Sequence, residues 1–183
     1  MERRGHLYRT RYDPNEFIFE SHDCKIVLFN EHGDRTGIAL IDSEDFPLIK
    51  NQKWYLNSNG YVMTRFKQGN KKRVHLTIHS IILGRPDSYI DHEDDNPLNN
   101  KKSNLRICTQ SQNTANKRKQ SNNTSGFKGV SWHKTRSKWR ASIRFEYKQY
   151  HLGLFKSKGE AAFVYNAAAE KLHGEFARLN KVF

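Results

Sequence analysis

The chain has 183 residues and a formal charge of +13, with 32 Lys and Arg against 19 Asp and Glu. A hydrophobic fraction of 36% is low for one large core and fits two or three modest modules. Two cysteines distant in sequence, Cys24 and Cys108, argue against a disulfide framework or a zinc cluster, and no apolar run or signal-peptide core marks a membrane or secreted protein.

Taken in order, residues 1–24 show no clear pattern and read as a partly ordered extension. Residues 25–30 (KIVLFN) and 36–42 (TGIALID) read as strands joined by a Gly-containing hairpin. Residues 42–50 predict a short helix or turn with Ser43 as N-cap. Residues 54–56 and 60–66 suggest a second hairpin around Asn57-Ser58-Asn59-Gly60. The run 74–83 (VHLTIHSIIL) is the most apolar of the first half, and its second part predicts a helix ended by Gly84 and Pro86. Then come a strand over 89–93, a polar loop over 94–103 and a strand over 105–108. Thr109 followed by Gln112 fits a capping box, so a helix should start there and run to about residue 119.

Charge then changes character. Residues 1–116 hold 17 Lys and Arg against 15 Asp and Glu, whereas residues 117–183 hold 15 against 4. The second segment is therefore expected to bind a polyanion. Residues 117–125 (KRKQSNNTS) read as a basic, polar connection lying along phosphates, with 120–125 as the linker proper. Alternating patterns predict strands over 127–133, 138–147 and 149–155. Ser157 caps a helix over 158–173 with Gly174 after it, and Ala-rich positions on that helix allow close approach to a sheet. The fold class is α+β: a β-rich first module over 1–119 with its core at 74–119, then a three-stranded antiparallel sheet on one helix over 126–183.

The stretch 89–113 (YIDHEDDNPLNNKKSNLRICTQSQN) places Asp91, His92, Asn104 and Asn113 close together. An imidazole titrating near neutrality can take a proton from water. Asp91 and Asn113 offer hard oxygen donors suited to Mg²⁺, with Mn²⁺ as a substitute. Asn104 can lock the loop and orient His92. A lone Asp-His pair is ordinarily a surface turn, and Asn-rich loops are ordinarily just loops; here it is the combination and spacing that point to phosphodiester hydrolysis. His79, ahead of the apolar helix, is either an accessory to this site, a DNA contact or a packed structural histidine.

DHEDDNPLNNKKSNLRICTQSQNTANKRK resembles the phage and intron-encoded HNH (His-Me finger, ββα-metal) homing endonucleases, whose pattern runs DH, a D-G-N turn, N-N, N-L-R and a final Asn or His. The resemblance implies His92 as general base, Asn104 as the middle Asn, and Asp91 and Asn113 as metal ligands. Asp95 stands where the family has Gly, so the loop must accept Asp at positive φ. Asn in place of the last His favours a hard metal over zinc.

Residues 125–180 resemble the ethylene-response-factor (APETALA-type) DNA-binding domain, through Gly129-Val130, Trp139, Ala141, Ile143, Leu152-Gly153, Phe155, Tyr165, His173-Gly174 and Leu179-Asn180. That family lays its sheet in the major groove with the helix behind. Strand alternation turns Trp139, Ala141 and Ile143 to the helix and leaves Lys128, Ser131, His133, Lys138, Arg140, Ser142, Arg144, Gln149 and His151 on the other face, joined by Lys117 and Arg118 ahead of them. The expected protein is a metal-dependent endonuclease on double-stranded DNA. It should act as a monomer that nicks, with a second chain for double-strand cleavage, in the cytoplasm of a bacterial or phage-infected cell. The rival readings are a DNA-binding regulator with a vestigial nuclease module and an RNA-associated basic protein.

Overall fold

The computed structural model describes residues 13–68 and 72–182. Two compact units divide at residues 107 and 108. Of the expected N-terminal extension, residues 1–12 lie outside the described residues, but β1 (Glu16–Glu20) within it is an edge strand paired antiparallel with β2 (Asp23–Phe29). Its sequence, EFIFE, has no apolar–polar alternation but is rich in the aromatic and β-branched residues that favour strands, and the expectation of an unpatterned segment is corrected there.

The order in the first sheet is β1-β2-β3, with β3 (Arg35–Asp42) after the hairpin at residues 30–34. Asn30 closes that turn: its Oδ1 accepts the N–H groups of His32 and Asp34. A 3-10 turn (Ser43–Asp45) and α1 (Phe46–Ile49) come next. Asp42 rather than Ser43 is the N-cap of that turn, and it makes no side-chain cap bond, because its Oδ2 accepts the N–H of Lys102 instead.

β4 (Trp54–Leu56), β5 (Val62–Gln68) and β6 (Lys72–Thr77) form a second antiparallel sheet in that order. Between β4 and β5, Asn57 Oδ1 accepts the N–H groups of Asn59 and Tyr61, so the turn is an Asx-type closure at the expected place. The apolar run 74–83 splits into the end of β6 and α2 (Ile78–Ile82). Fully buried Ile26, Leu28, Ile41, Ile49, Trp54, Val62 and Ile78 make one core from both sheets and both short helices. β7 (Tyr89–His92) and β8 (Leu105–Cys108) pair as a two-stranded ribbon.

In the second unit, α3 (Gln110–Asn116) starts at the expected capping box, with Thr109 Oγ1 accepting Gln112 N and Gln112 Oε1 accepting Thr109 N. It ends at Asn116, earlier than expected, where Lys117 turns to extended backbone and the Lys128 ammonium donates to the carbonyls of Ala115 and Lys117. A cation on these C-terminal carbonyls complements the helix dipole.

β9 (Val130–His133), β10 (Lys138–Phe145) and β11 (Lys148–Phe155) form an antiparallel sheet with β10 in the centre. β10 stops at Phe145 because Glu146 and Tyr147 both take positive φ, the requirement of a two-residue hairpin turn. α4 (Lys158–His173) begins with the Ser157–Glu160 capping box and lays Ala161, Ala162, Tyr165 and Ala169 on Val130, Ala141 and Ile143. Gly129 is required beneath it: a Cβ there would fall 2.1 Å from the Tyr165 ring. The tail is pinned by Asn180, whose amide bridges the N–H and C=O of Lys128 while Asn166 holds its backbone.

Candidate functional site

The β7–β8 ribbon and the loop 93–104 form the site's frame. The β1–β3 sheet braces that loop: Leu40 N–H donates to Leu98 O at 2.8 Å, and Asn100 N–H donates to Leu40 O at 2.7 Å. Lys101 Nζ lies 2.5 Å from Asp23, and Lys102 Nζ lies 2.8 Å from buried Asp45. Leu98 packs on the core beneath. The N-terminal meander therefore fixes the position of a loop that has little regular structure of its own.

Inside the loop, Asn104 acts as a staple. Its Oδ1 accepts Asp94 N–H at 3.0 Å, and its Nδ2 donates to Asp94 Oδ1 at 2.9 Å and to Asn99 O at 2.8 Å. Its carbonyl accepts the N–H of Glu93. Burial alone would raise the Asp94 carboxyl, but bonds from Asn99, the Asn96 N–H and Asn104 hold it below its usual range. Asp95 takes φ 59°, the conformation anticipated where Gly is usual.

Asp91 and His92 end β7 with 4% and 6% exposure. Asp91 Oδ2 meets the Arg106 guanidinium of β8 at 2.5 Å. His92 Nε2 lies 3.2 Å from Oδ1 of Asn100, a fully buried side chain whose Nδ2 donates to Pro97 O. That second bond fixes the amide orientation and presents an acceptor to the ring. The neutral imidazole then carries its hydrogen on Nε2 and its lone pair on Nδ1. Burial pushes the His92 pKa below its ordinary value, against the Asn100 bond and the carboxylates of Asp94, Asp91 and Asp95.

His79, from α2, meets the His92 ring edge-on at 5.0 Å, and Tyr61 lies 5.7 Å from His79 and 6.0 Å from His92. Burial, then the neighbouring His92, lowers the His79 pKa to about 4. Burial, then Asp95 and Asp91, raises that of Tyr61. His79 is thus neutral and packed beside the site. Asn100, Arg106 and Tyr61 are additions to the residues singled out in the sequence. The N-N and N-L-R steps carried the first two as motif letters without saying which side chain would be buried against which partner.

Asn113 stands on α3 of the second unit, its N–H bonded to Thr109 O. Among the described residues no group of three or more His, Cys, Asp or Glu is placed to hold a metal ion. A carboxylate and an amide oxygen fit a hard divalent cation whose remaining positions belong to water and phosphate. They do not fit a closed zinc site of sulfur and imidazole.

On the second unit's sheet, register places Ser131 opposite Arg140, His133 opposite Lys138, Ser142 opposite His151 and Arg144 opposite Gln149. These side chains share the face away from α4, where Lys138, Arg140, Arg144, Gln149 and His151 are exposed. Arg140 donates to Ser131 Oγ at 3.2 Å. A β-bulge beside Gly153 adds one residue to β11 and resets the alternation there. Lys128 is engaged with the end of α3, whereas Lys117 and Arg118 are exposed beyond it.

The chain is 34% identical over 170 residues to a protein of Acanthamoeba polyphaga mimivirus named as an uncharacterized HNH endonuclease, covering 91% of this chain and 85% of that protein. It is 42% identical over 90 residues to protein 3.8 of Escherichia phage T7, covering 49% of this chain and 74% of that protein. No protein-family model and no solved structure matches. With the Asp91-His92 pair, the Asn104-stapled loop and similarity along nearly its whole length to a protein of that name, the chain belongs to the HNH endonuclease family.

Proposed function

We propose that the protein is a metal-dependent, homing-type endonuclease that hydrolyses phosphodiester bonds of duplex DNA to 5′-phosphate and 3′-hydroxyl ends. The observation that carries this reading is the buried His92, oriented through Nε2 by Asn100 and seated beside the Asp91 carboxylate. His92 Nδ1 takes the proton of the attacking water, and the depressed pKa keeps the ring neutral for that task. Asn100 and the Asn104-closed loop hold the ring's direction through the reaction. Asp91 and Asn113 are the oxygen donors for Mg²⁺, with Mn²⁺ able to replace it. When bound, such a cation supplies charge stabilisation for the phosphorane-like transition state and the departing 3′-oxygen. Arg106 holds the Asp91 carboxylate in place.

The second unit supplies the hold on DNA, in the manner of the ethylene-response-factor domain. Lys138, Arg140 and Arg144 on its exposed sheet face are suited to phosphates and guanine edges, with Ser131, His133, Ser142 and His151 as shorter polar contacts. Lys117 and Arg118 add charge next to it. The working form is a monomer that nicks one strand, and a second chain on the DNA completes a double-strand cut.

Incubation of supercoiled plasmid carrying candidate sites with Mg²⁺, using wild type, His92→Ala and Asp91→Ala, tests this reading. Nicking by the wild type alone is expected. Equal plasmid survival in all three would replace it with a DNA-binding regulator that does not cut.

A further inference from the structure

The near-neutral balance of the first unit conceals a separation of charge. Residues 51–80 contain six Lys and Arg and no Asp or Glu. They build the β4–β5–β6 sheet, whose one face, with Trp54, Val62 and Thr64, is core. Strand register sends Tyr55, Arg65, Arg73 and His75 to the opposite face. The β2–β3 hairpin adds Phe29, Asn30 and Thr36 alongside, closing a groove of about 750 Å³. Three cations, Lys53, Arg65 and Arg73, line it against one carboxylate, Glu31.

This groove is partly ordered for an anion. The Arg65 guanidinium lies 5.8 Å over the Tyr55 ring, and Tyr55 Oη is 3.1 Å from His75 Nδ1, so the ring that carries the cation is itself held. Among the described residues, no carboxylate pairs with Arg65 or Arg73. Two exposed guanidiniums on neighbouring strands, without acidic neighbours in their own segment, form a field that attracts phosphate rather than a solvated mixture of signs.

We propose that this groove is a second DNA subsite, gripping the substrate's phosphate backbone through Arg65 and Arg73. The nuclease unit then carries its own hold on DNA, separate from the sheet of residues 130–155. The choice of DNA among polyanions rests on the nuclease reading; the anion-binding groove does not.

Full-length protein made non-cutting by His92→Ala is titrated with a fluorescent duplex of mixed sequence at several salt concentrations. Adding Arg65→Ala and Arg73→Ala should weaken binding about tenfold or more at low salt and reduce the slope of log K against log salt by about two. The Arg65→Lys, Arg73→Lys pair should keep that slope, since the charges remain. Excess free nucleotide should not displace the duplex. The proposal is overturned if the alanine pair, folded by circular dichroism, binds with unchanged slope and affinity. It is equally overturned if the lysine pair loses as much slope as the alanine pair, or if free nucleotide competes on equal terms. Failure of the nuclease reading shows separately, as absence of plasmid cleavage by the wild type.

Discussion

The guanidinium of Arg106 stands 2.5 Å from Asp91 Oδ2, and this pair ties the two strands of the site's ribbon together where both side chains are shielded from water. Removing one partner of a buried pair leaves the other charge in a poor solvent. Arg106→Ala is therefore expected to lower stability by about 3 kcal/mol, measured by urea unfolding. Saturating Mg²⁺ should raise the melting temperature of this variant more than that of the wild type, because the added cation replaces a lost positive charge at Asp91. Equal shifts in both proteins would argue that the ion binds elsewhere.

Asn100 determines which imidazole nitrogen holds the lone pair. Asn100→Ala frees the ring to adopt either tautomer and orientation, and cleavage should slow by about tenfold to a thousandfold. In the wild type, burial holds the His92 pKa below its ordinary value, so activity should persist as pH falls past about 6.5 and decline only below it. Asn100→Asp puts a carboxylate beside Nε2, favours the imidazolium and should move that acidic limb to higher pH. Rate measurements on a defined duplex across pH check the direction; a limb unmoved by Asn100→Asp would separate His92 from the rate.

How much of this was legible in the sequence depends on whether the cause was local. The Thr109–Gln112 capping box, Ser157 as the cap of the last helix, the β10 alternation and the Asn57–Gly60 turn arise from residues a few positions apart, and all stand as expected. Positive φ at Asp95 was readable from the family pattern. Asn100 was not: four asparagines share the loop, and the pairing of Leu40 in the first sheet with Leu98 and Asn100 is what buries Asn100 completely. The Asp91–Arg106 pair needs the strand pairing to be known. The basic segment 51–80 was hidden by averaging its charge with the acidic loop and the strands before it.

His79 makes a stability prediction with a definite sign. Its folded-state pKa, about 4, lies below the unfolded value near 6.5, so the unfolded chain binds the proton first. Its contribution is complete above pH about 6.5 and is lost as pH falls towards 4, by about 3 kcal/mol in all. Unfolding midpoints in urea at neutral and acidic pH should show this loss. His79→Phe, which cannot be protonated, should flatten it. A midpoint equally acid-sensitive in that variant would assign the effect to other groups.

The second unit's sheet should carry most of the DNA affinity. Combining Lys138→Ala, Arg140→Ala and Arg144→Ala leaves the α4-facing core intact, since all three side chains are exposed. Affinity should fall about tenfold to a thousandfold, with a shallower salt dependence, while slow cleavage survives at high enzyme concentration. Binding by gel shift and cleavage measured together would show it. Unchanged affinity would move the DNA contact off this face.

The most direct test is single-turnover cleavage of a mapped duplex with enzyme in excess, comparing wild type with His92→Ala at fixed Mg²⁺ and after chelation. With His92 as the base, its alanine variant should be slower by about a hundredfold to ten-thousandfold with duplex binding retained, and chelation should abolish cleavage by the wild type. Equal rates for the two proteins, or cleavage indifferent to chelator, would contradict both roles.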